Sequence, residues 1–294
     1  MDLVTVTDGE GNTLQYKRYQ GHVFPKLLRG NVRDQLTQVA NLQCRPDDVL
    51  LCTYPKTGLH WTYNIVQMLI SGSTTYEGSP KYLEFDDIGM IDMMPPRRVY
   101  ATHFEVCHLP DAIKNGTGKV INIIRNPKDV AVSYFCFLTS LNIPVYSGSF
   151  SGFLQYFLKE DFLFGNWFGA LKQWLDIQTM YPCMQTLTLH YEDLKRNTLQ
   201  NLYTLADFLE VPKNDDFLRQ IELSVEFSKM KINHEQELMG SETFKDIATH
   251  GVLPIYRKGD VGDWKNWFTL AQSEEFDRVY KQRMEGYDID FIYE

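Results

Sequence analysis

Several common signals are missing from this chain of 294 residues. No stretch approaches the roughly 18 consecutive apolar residues of a membrane span, and the amino terminus lacks the apolar core of a signal peptide. Basic residues are outnumbered, with 29 against 38 acidic residues and a net charge of −9. We therefore expect no general affinity for nucleic acid or for an anionic membrane, and any anionic ligand needs a local basic pocket.

Metal and disulfide motifs are also missing. The five cysteines form no C-x-x-C pair, and there is no H-E-x-x-H motif or paired-carboxylate set. We therefore predict no metal, and the odd, unpatterned cysteines favour a reducing, cytoplasmic location. The Walker pattern G-x-x-x-x-G-K-[ST] is absent as well, which disfavours an ordinary nucleoside triphosphate site.

The most informative stretch runs from Asp48 to Ile70. Val49 to Cys52 form a short apolar run, typical of a strand buried on both faces of a parallel sheet. A turn from Pro55 to Gly58 follows, and then an amphipathic helix. A helix start presents unpaired N–H groups to an anion. With Lys56 in the turn, the stretch predicts a phosphate site, although such units often only connect two layers.

A second strand, turn and helix repeats this arrangement. The apolar run from Lys119 leads into a turn with Arg125, and Ser133 lies in the first turns of the next helix. Two helix starts on neighbouring strands would face one ligand with two separated phosphates. A short strand that ends on His103 places this imidazole at the same edge, where open α/β sheets bind ligands.

The alternation of strands and helices predicts an α/β fold. We expect a single domain over residues 1–294, with a central parallel sheet flanked by helices and a P-loop-like phosphate-binding turn. Residues 1–44 are predicted to be an irregular lead-in with one short helix, and residues 232–256 a lid loop. Arg257, Lys258 and Gly259 then form either a phosphate clamp or a solvated surface turn.

Taken together, these stretches resemble the cytosolic sulfotransferase family from about Arg45 to the carboxyl terminus. The motifs that carry the resemblance are TYPKTG with Trp61, Ala101-Thr102-His103, RNPKDVAVSYF, Tyr191-Glu192-Asp193 and RKGDVGDWKNWF. The resemblance implies 3′-phosphoadenosine 5′-phosphosulfate (PAPS) as the donor and 3′-phosphoadenosine 5′-phosphate (PAP) as the product. It implies a small-molecule hydroxyl or amine as the acceptor.

The resemblance also implies a role for each site residue. His103 would be the general base, and Lys56 would meet negative charge on the leaving phosphate. The turn that would hold the 5′-phosphosulfate comprises Lys56, Thr57, Gly58, Leu59 and His60. The residues that would hold the 3′-phosphate are Arg125, Ser133, Arg257, Lys258 and Gly259. The residues that would surround the adenine are Trp61, Tyr191, Val225 and Phe227.

Four positions depart from the family pattern. Leu59 and His60 replace two threonines, Ala101 replaces a common lysine, and Val225 replaces a threonine. Leu59 cannot donate a side-chain hydrogen bond, whereas an imidazole can. We therefore hypothesise that His60 partly replaces the missing threonine contact. The missing lysine at position 101 removes one positive charge near the transferring group.

The acceptor is expected to be small and apolar, such as a phenol, a steroid or an alcohol. Candidate walls of its pocket are Tyr82, Phe85, Met90, Phe104, Phe135, Phe137, Phe150 and Tyr256. The segment Lys265 to Glu274 resembles the family's dimer motif and predicts a homodimer. Two alternatives stay open: a nucleotide-binding protein with little or no turnover, and a small-metabolite kinase, which the missing Walker sequence disfavours.

Overall fold

A computed structural model describes residues 2–142, 145–240 and 254–294. The strands of this part are β1 (Asp2–Thr7), β2 (Thr13–Tyr19), β3 (His22–Pro25), β4 (Val49–Cys52), β5 (Val99–Thr102), β6 (Lys119–Ile124) and β7 (Thr186–His190). The first helices are α1 (Val32–Ala40), α2 (Leu59–Ser71), α3 (Ile88–Asp92), α4 (Asp111–Lys114), α5 (Pro127–Thr139), α6 (Phe150–Phe157) and α7 (Trp167–Leu175). The remaining helices are α8 (Ile177–Met180), α9 (Tyr191–Arg196), α10 (Thr198–Leu209), α11 (Asp215–Ser224), α12 (Phe227–Gly240) and α13 (Leu270–Arg283).

The central sheet has the strand order β5-β4-β6-β7, and every neighbouring pair is parallel. Val49 pairs with both Val99 and Lys119, so these strands start at the same level. Their carboxyl ends therefore meet at one edge of the sheet. The structure confirms the predicted single α/β domain with a central parallel sheet flanked by helices.

Both faces of the sheet are buried, as the apolar runs predict. Along β4, Leu50 and Cys52 join one apolar cluster, while Val49 and Leu51 join the other. Side chains alternate between faces along a strand, so a strand covered on both sides must be apolar throughout. Each fully buried aliphatic side chain of this kind contributes about 1.5–3 kcal/mol.

The amino-terminal region differs from its prediction. Residues 1–44 were expected to be irregular, but β1, β2 and β3 form an antiparallel sheet. Leu14 and Tyr16 alternate with more exposed neighbours and enter the core. Tyr19 pairs with His22, which leaves a two-residue turn between β2 and β3. The predicted short helix is α1.

The predicted lid is described only in part. Its first residues, 232–240, belong to helix α12 rather than to a loop, and residues 241–253 lie outside the described residues. Residues 254–256 continue toward the cavity described below. No helix in the described ranges combines the length and the apolar character that a membrane crossing requires.

A fully buried ion pair joins the residue before β5 to the residue before β4. Arg98 donates from Nε to Oδ1 of Asp48 at 2.8 Å and from Nη2 to Oδ2 at 2.5 Å, and both side chains are 0 % exposed. Nη2 also donates to the Gln43 carbonyl at 2.8 Å. The Tyr100 hydroxyl donates to Oδ2 of Asp48 at 3.3 Å. These bonds hold the amino-terminal edge of the sheet.

We predict that Arg98→Met lowers the free energy of unfolding by about 3–5 kcal/mol, because Asp48 is left buried without its counter-ion. Urea denaturation measures the loss. The matched control is Arg278→Met, which removes the exposed Arg278–Glu275 pair and leaves stability nearly unchanged because water screens both charges. Equal small losses in the two variants would contradict the prediction.

Candidate functional site

The carboxyl edge of the central sheet opens into a cavity of about 990 Å³. Nearly all the site residues predicted from the sequence line it, although they come from distant segments. They are Lys56, Gly58, Leu59, His60, Trp61, His103, Arg125, Ser133, Tyr191, Val225, Phe227, Arg257, Lys258 and Gly259. Thr57 is the exception, because its side chain is buried and its hydroxyl donates to the Tyr54 carbonyl at 2.9 Å.

The first turn links β4 to α2 and places Lys56 at the cavity. Lys56 has a positive φ of 70°, so its backbone adopts the left-handed conformation that few non-glycine residues take. Its Nζ lies 4.4 Å from the centroid of the Phe137 ring. Burial and the nearby Arg125 charge lower the pKa of Lys56 to about 7. An anion bound here would restore full protonation.

The ring of Tyr191, at the start of α9, connects three segments of the site. A Cβ on Gly58 would lie 2.7 Å from Cδ2 of this ring, so only glycine allows the turn to come so close. The Arg125 guanidinium lies 4.2 Å from the ring centroid. The Tyr191 hydroxyl donates to the Gly259 carbonyl at 3.1 Å. Trp61 contacts the same ring edge-on, with 5.7 Å between centroids.

The second turn is held against the carboxyl-terminal loop. Arg125 donates to the carbonyls of Lys56 at 3.3 Å and Asp260 at 3.0 Å. Asp129, in the first turn of α5, accepts from the backbone N–H groups of Gly262 at 2.9 Å and Trp264 at 3.0 Å. This role of Asp129 was not predicted from the sequence. The two hydrogen bonds that Asp129 accepts place the basic loop, Arg257 to Gly259, beside Arg125.

The basic loop, Arg257 to Gly259, is part of the cavity wall, and the Lys258 side chain is also 46% exposed. Arg257 and Lys258 each donate to Asp263 at 2.6 Å. Burial alone would raise the pKa of Asp263. The hydrogen bonds from Lys258, Asn266 and Arg257 outweigh burial and hold this pKa well below its usual range. The Nε atoms of Arg125 and Arg257 are buried and have no partner within the described residues. They are available to an anion.

Three of the proposed adenine residues form an apolar corner. Trp61 donates from Nε1 to the Val225 carbonyl at 2.9 Å, which fixes the indole plane. Phe227 lies so close to Gly259 that a side chain at that position would clash with its ring. Aromatic faces and a buried valine suit a planar heterocycle.

His103 follows β5 and is fixed in one tautomer. Its Nδ1 lies 2.9 Å from the Thr53 carbonyl, which can only accept, so Nδ1 carries the proton and Nε2 keeps a free lone pair. Burial, opposed by that hydrogen bond, lowers the pKa of His103 to about 4, with Lys56 adding a smaller effect. The imidazole is therefore neutral near pH 7.

A buried carboxyl group, which the sequence did not predict, supports His103. Oε1 of Glu84 accepts from the backbone N–H of His103 at 2.9 Å, and Oε2 accepts from the Thr102 hydroxyl at 2.8 Å. Burial raises the pKa of Glu84 to about 8. No local motif marks this residue, because its partners lie far along the chain.

His60 lies between the first turn and the acceptor side of the cavity. Its Nε2 is 2.8 Å from the Tyr82 hydroxyl, while its Nδ1 is buried with no partner in the described chain. Burial, with His234 and Lys56 nearby, holds the pKa of His60 well below its usual value. The imidazole is therefore neutral near pH 7.

The remaining cavity wall is largely apolar and agrees with the sequence reading only in part. Tyr82, Phe85, Phe137 and Tyr256 line it, whereas Met90, Phe104, Phe135 and Phe150 do not. Phe135 and Phe150 instead pack on Trp267. Lining residues that were not predicted include Pro25 at the end of β3, Leu27 just after it, and Lys195. Lys195 lies with its Nζ 5.5 Å from the Phe227 ring centroid and adds a cation to the wall.

Known proteins share sequence similarity with this chain over most of its length. A family model described as "Sulfotransferase domain" matches residues 46–288. Sulfotransferase 1C2 of Rattus norvegicus is 30% identical over 91% of this chain and 93% of its own length. Sulfotransferase 1A1 of Mus musculus is 32% identical over 88% of this chain and 91% of its own.

A solved structure shares the fold along most of its length. The crystal structure of mouse sulfotransferase SULT7A1 complexed with PAP superimposes with a TM-score of 0.76 at 28% identity. It covers 93% of this chain and 96% of the mouse protein. The family match over most of the chain, the sequence relatives and the shared fold lead to one conclusion: this chain belongs to the sulfotransferase family and is a sulfotransferase enzyme.

Proposed function

We propose that the protein transfers the sulfuryl group of PAPS to a hydroxyl group of a small apolar acceptor. The observation that carries the proposal is the convergence of two basic turns, a basic loop and a neutral imidazole on one cavity. The PAP-bound mouse relative supports the choice of nucleotide. When bound, PAPS would supply the activated sulfuryl group and leave as PAP.

The residues of this chain fit both ends of such a nucleotide. Arg125, Arg257 and Lys258 would hold the 3′-phosphate together with Ser133 and the Gly259 backbone, and two of their Nε atoms lack a partner in the described residues. The first turn would hold the 5′ end. The Thr57 hydroxyl already donates to the Tyr54 carbonyl, so Thr57 would contribute its backbone N–H. Leu59 would also contribute its backbone N–H.

His60 would supply the side-chain contact that Leu59 cannot. If the Tyr82 hydroxyl donates to Nε2, the neutral ring carries its proton on Nδ1, the buried atom without a partner. A neutral N–H can donate to a phosphate oxygen without any change of protonation state. The lowered pKa of His60 therefore does not weaken the hypothesis.

The catalytic steps follow from the protonation states. His103 would accept the proton of the acceptor hydroxyl on Nε2, because Nδ1 is held by Thr53. Lys56 would stabilise the negative charge that develops on the leaving phosphate oxygen. Positioning and charge stabilisation carry most of the catalysis in the related phosphoryl transfers. Glu84 would act indirectly, by holding the His103 backbone.

Other features are proposed on the same basis. The largely apolar wall favours a phenol, a steroid or another apolar alcohol over an amine. The five free cysteines suit a cytoplasmic location. The segment Lys265 to Glu274 would form a homodimer contact, because Leu270 stands 76% exposed at the start of α13.

A second candidate function is a nucleotide-binding protein that turns over slowly. Ala101 is fully buried and uncharged where the family commonly has a lysine. Leu59 likewise brings no donor to the first turn. The retained His103 and Lys56 favour the enzyme.

We predict that transfer depends on His103. With labelled PAPS and a panel of phenols, sterols and primary alcohols, His103→Gln should reduce the transfer rate by about 10²–10⁴, the usual contribution of a general base. PAP binding, measured by calorimetry, should change little, because His103 lies on the acceptor side. Tight PAP binding with no transfer to any acceptor by the wild type would favour the binding protein, and ATP-dependent product would favour a kinase.

We predict that PAP affinity falls as pH rises above 7. Burial lowers the pKa of the Lys56 amine to about 7, and a bound anion would raise this pKa and return the proton. Affinity should therefore drop by up to about tenfold per pH unit until the pKa of the bound state is reached. Titrations between about pH 7.5 and 9, where the nucleotide phosphates are already fully ionised, measure this slope.

Lys56→Arg is the control for this slope, because a guanidinium stays charged over the whole range. Its PAP affinity should be nearly independent of pH, whatever its absolute value. Calorimetry in two buffers of different ionisation enthalpy should also show proton uptake in the wild type and none in the variant. Equal slopes in both proteins would show that Lys56 does not titrate on binding.

We predict that Leu270→Glu converts the homodimer to a monomer, because it puts a charge in the middle of a small apolar contact. Sedimentation velocity gives the oligomeric state. The control is Met180→Glu, another exposed apolar residue, 44% exposed and outside the segment, which should stay dimeric. A wild type that sediments as a monomer at all concentrations would reject the proposed contact.

A further inference from the structure

Two histidines and a cysteine come together outside the cavity. His22 begins β3, and Cys107 and His108 lie in the short 3₁₀ turn Val106–His108 that follows β5. One potential ligand atom from each of the three residues lies within 4.8 Å of the other two. None of the three residues lines the cavity. The group is the only one of its kind in the part of the chain that the structure describes.

A carboxylate orients the first imidazole. Nδ1 of His22 lies 2.6 Å from Oε2 of Glu105, and Oε1 of Glu105 accepts from the Gln173 amide at 3.2 Å. Such a carboxylate–histidine pair is the usual arrangement behind a metal-bound imidazole, because it fixes the ring and makes the other nitrogen a better donor of electrons. Nε2 of His22 is then the nitrogen that can bind a metal.

The second imidazole has a nitrogen without a partner. Nε2 of His108 is buried and makes no hydrogen bond to the described residues. Its ring lies edge-on to His22, with 4.5 Å between centroids, and contacts Phe24 at 5.4 Å. A buried unpaired polar atom costs free energy unless something binds it. The neighbouring Cys107 is a free, exposed cysteine.

We propose that His22, Cys107 and His108 bind one Zn²⁺ ion, with Glu105 orienting His22. Imidazole nitrogen and thiolate sulfur are the ligands that Zn²⁺ prefers, and three protein ligands leave a fourth position for water. In a tetrahedral site with metal–ligand bonds of about 2.0–2.3 Å, ligand atoms lie roughly 3.3–3.8 Å apart. Small side-chain rotations would close the present group to that spacing.

The ion would connect two parts of the fold. It would tie the amino-terminal sheet to the segment that begins with His103, on the outside of the cavity. The site is separate from sulfuryl transfer, and it departs from the sequence prediction that the chain holds no metal. Local motifs could not reveal it, because the ligands lie on segments far apart in the chain.

The proposal is tested on the full chain after chelator treatment. Calorimetry with Zn²⁺ should give one ion per chain. Co²⁺ should give the visible bands of a tetrahedral site and a near-ultraviolet thiolate charge-transfer band. Cys107→Ser should lose that band and bind Zn²⁺ at least tenfold more weakly, and Glu105→Gln should weaken binding about 10–100-fold. Zn²⁺ should also raise the thermal midpoint of the wild type but not of Cys107→Ser.

Cys183→Ser is the matched control, because Cys183 is also free and exposed but lies outside the group. It should bind Zn²⁺ and Co²⁺ like the wild type. Absence of saturable one-to-one binding, or binding that survives unchanged in both Cys107→Ser and His108→Ala, would overturn the proposal. Binding that is lost in Cys183→Ser would also overturn it. None of these measurements depends on the transfer reaction.

Discussion

The packing around the Tyr191 ring is the contact on which the basic side of the cavity depends. Gly58 approaches one side so closely that any larger residue would clash, and the Arg125 guanidinium lies 4.2 Å from the ring centroid. The Tyr191 hydroxyl holds the Gly259 carbonyl. One aromatic side chain thus sets the spacing between two basic turns and a basic loop. The ring is a neutral group between segments whose like charges repel one another.

Burial lowers the pKa of both Lys56 and His103, with a different consequence for each. It lowers the pKa of Lys56 to about 7, so the charge of this amine would respond to the anion proposed to bind beside it. It lowers the pKa of His103 to about 4, so this imidazole stays neutral and able to accept a proton. Burial disfavours the charged form of both groups. An anion bound beside Lys56 would offset this free-energy cost for Lys56 alone. A protonated lysine and a neutral imidazole can therefore line one cavity.

Much of the fold could be predicted because the central strands are apolar on both faces and alternate with helices. The amino-terminal sheet was missed, although Leu14 and Tyr16 alternate with polar neighbours as an antiparallel strand requires. The alternating pattern covers only a few residues. Only the pairing of the three strands shows that these residues form a sheet. Glu84 and Lys195 were missed for a related reason. Each is a single charged residue without a motif, and only folding places it beside His103 or Phe227.

The sequence by itself determined the parallel sheet and the two strand–turn–helix units, because periodicity and turn residues act over a few positions. Through its motifs it also named most of the proposed nucleotide-binding residues, and these line the cavity. Only the tertiary structure decided that the Thr57 hydroxyl is turned to a backbone carbonyl and that four of eight candidate wall residues line the cavity. It alone brought His22 to Cys107 and His108. These facts depend on contacts between segments far apart in the chain, and a local pattern cannot encode which distant atom a side chain will meet.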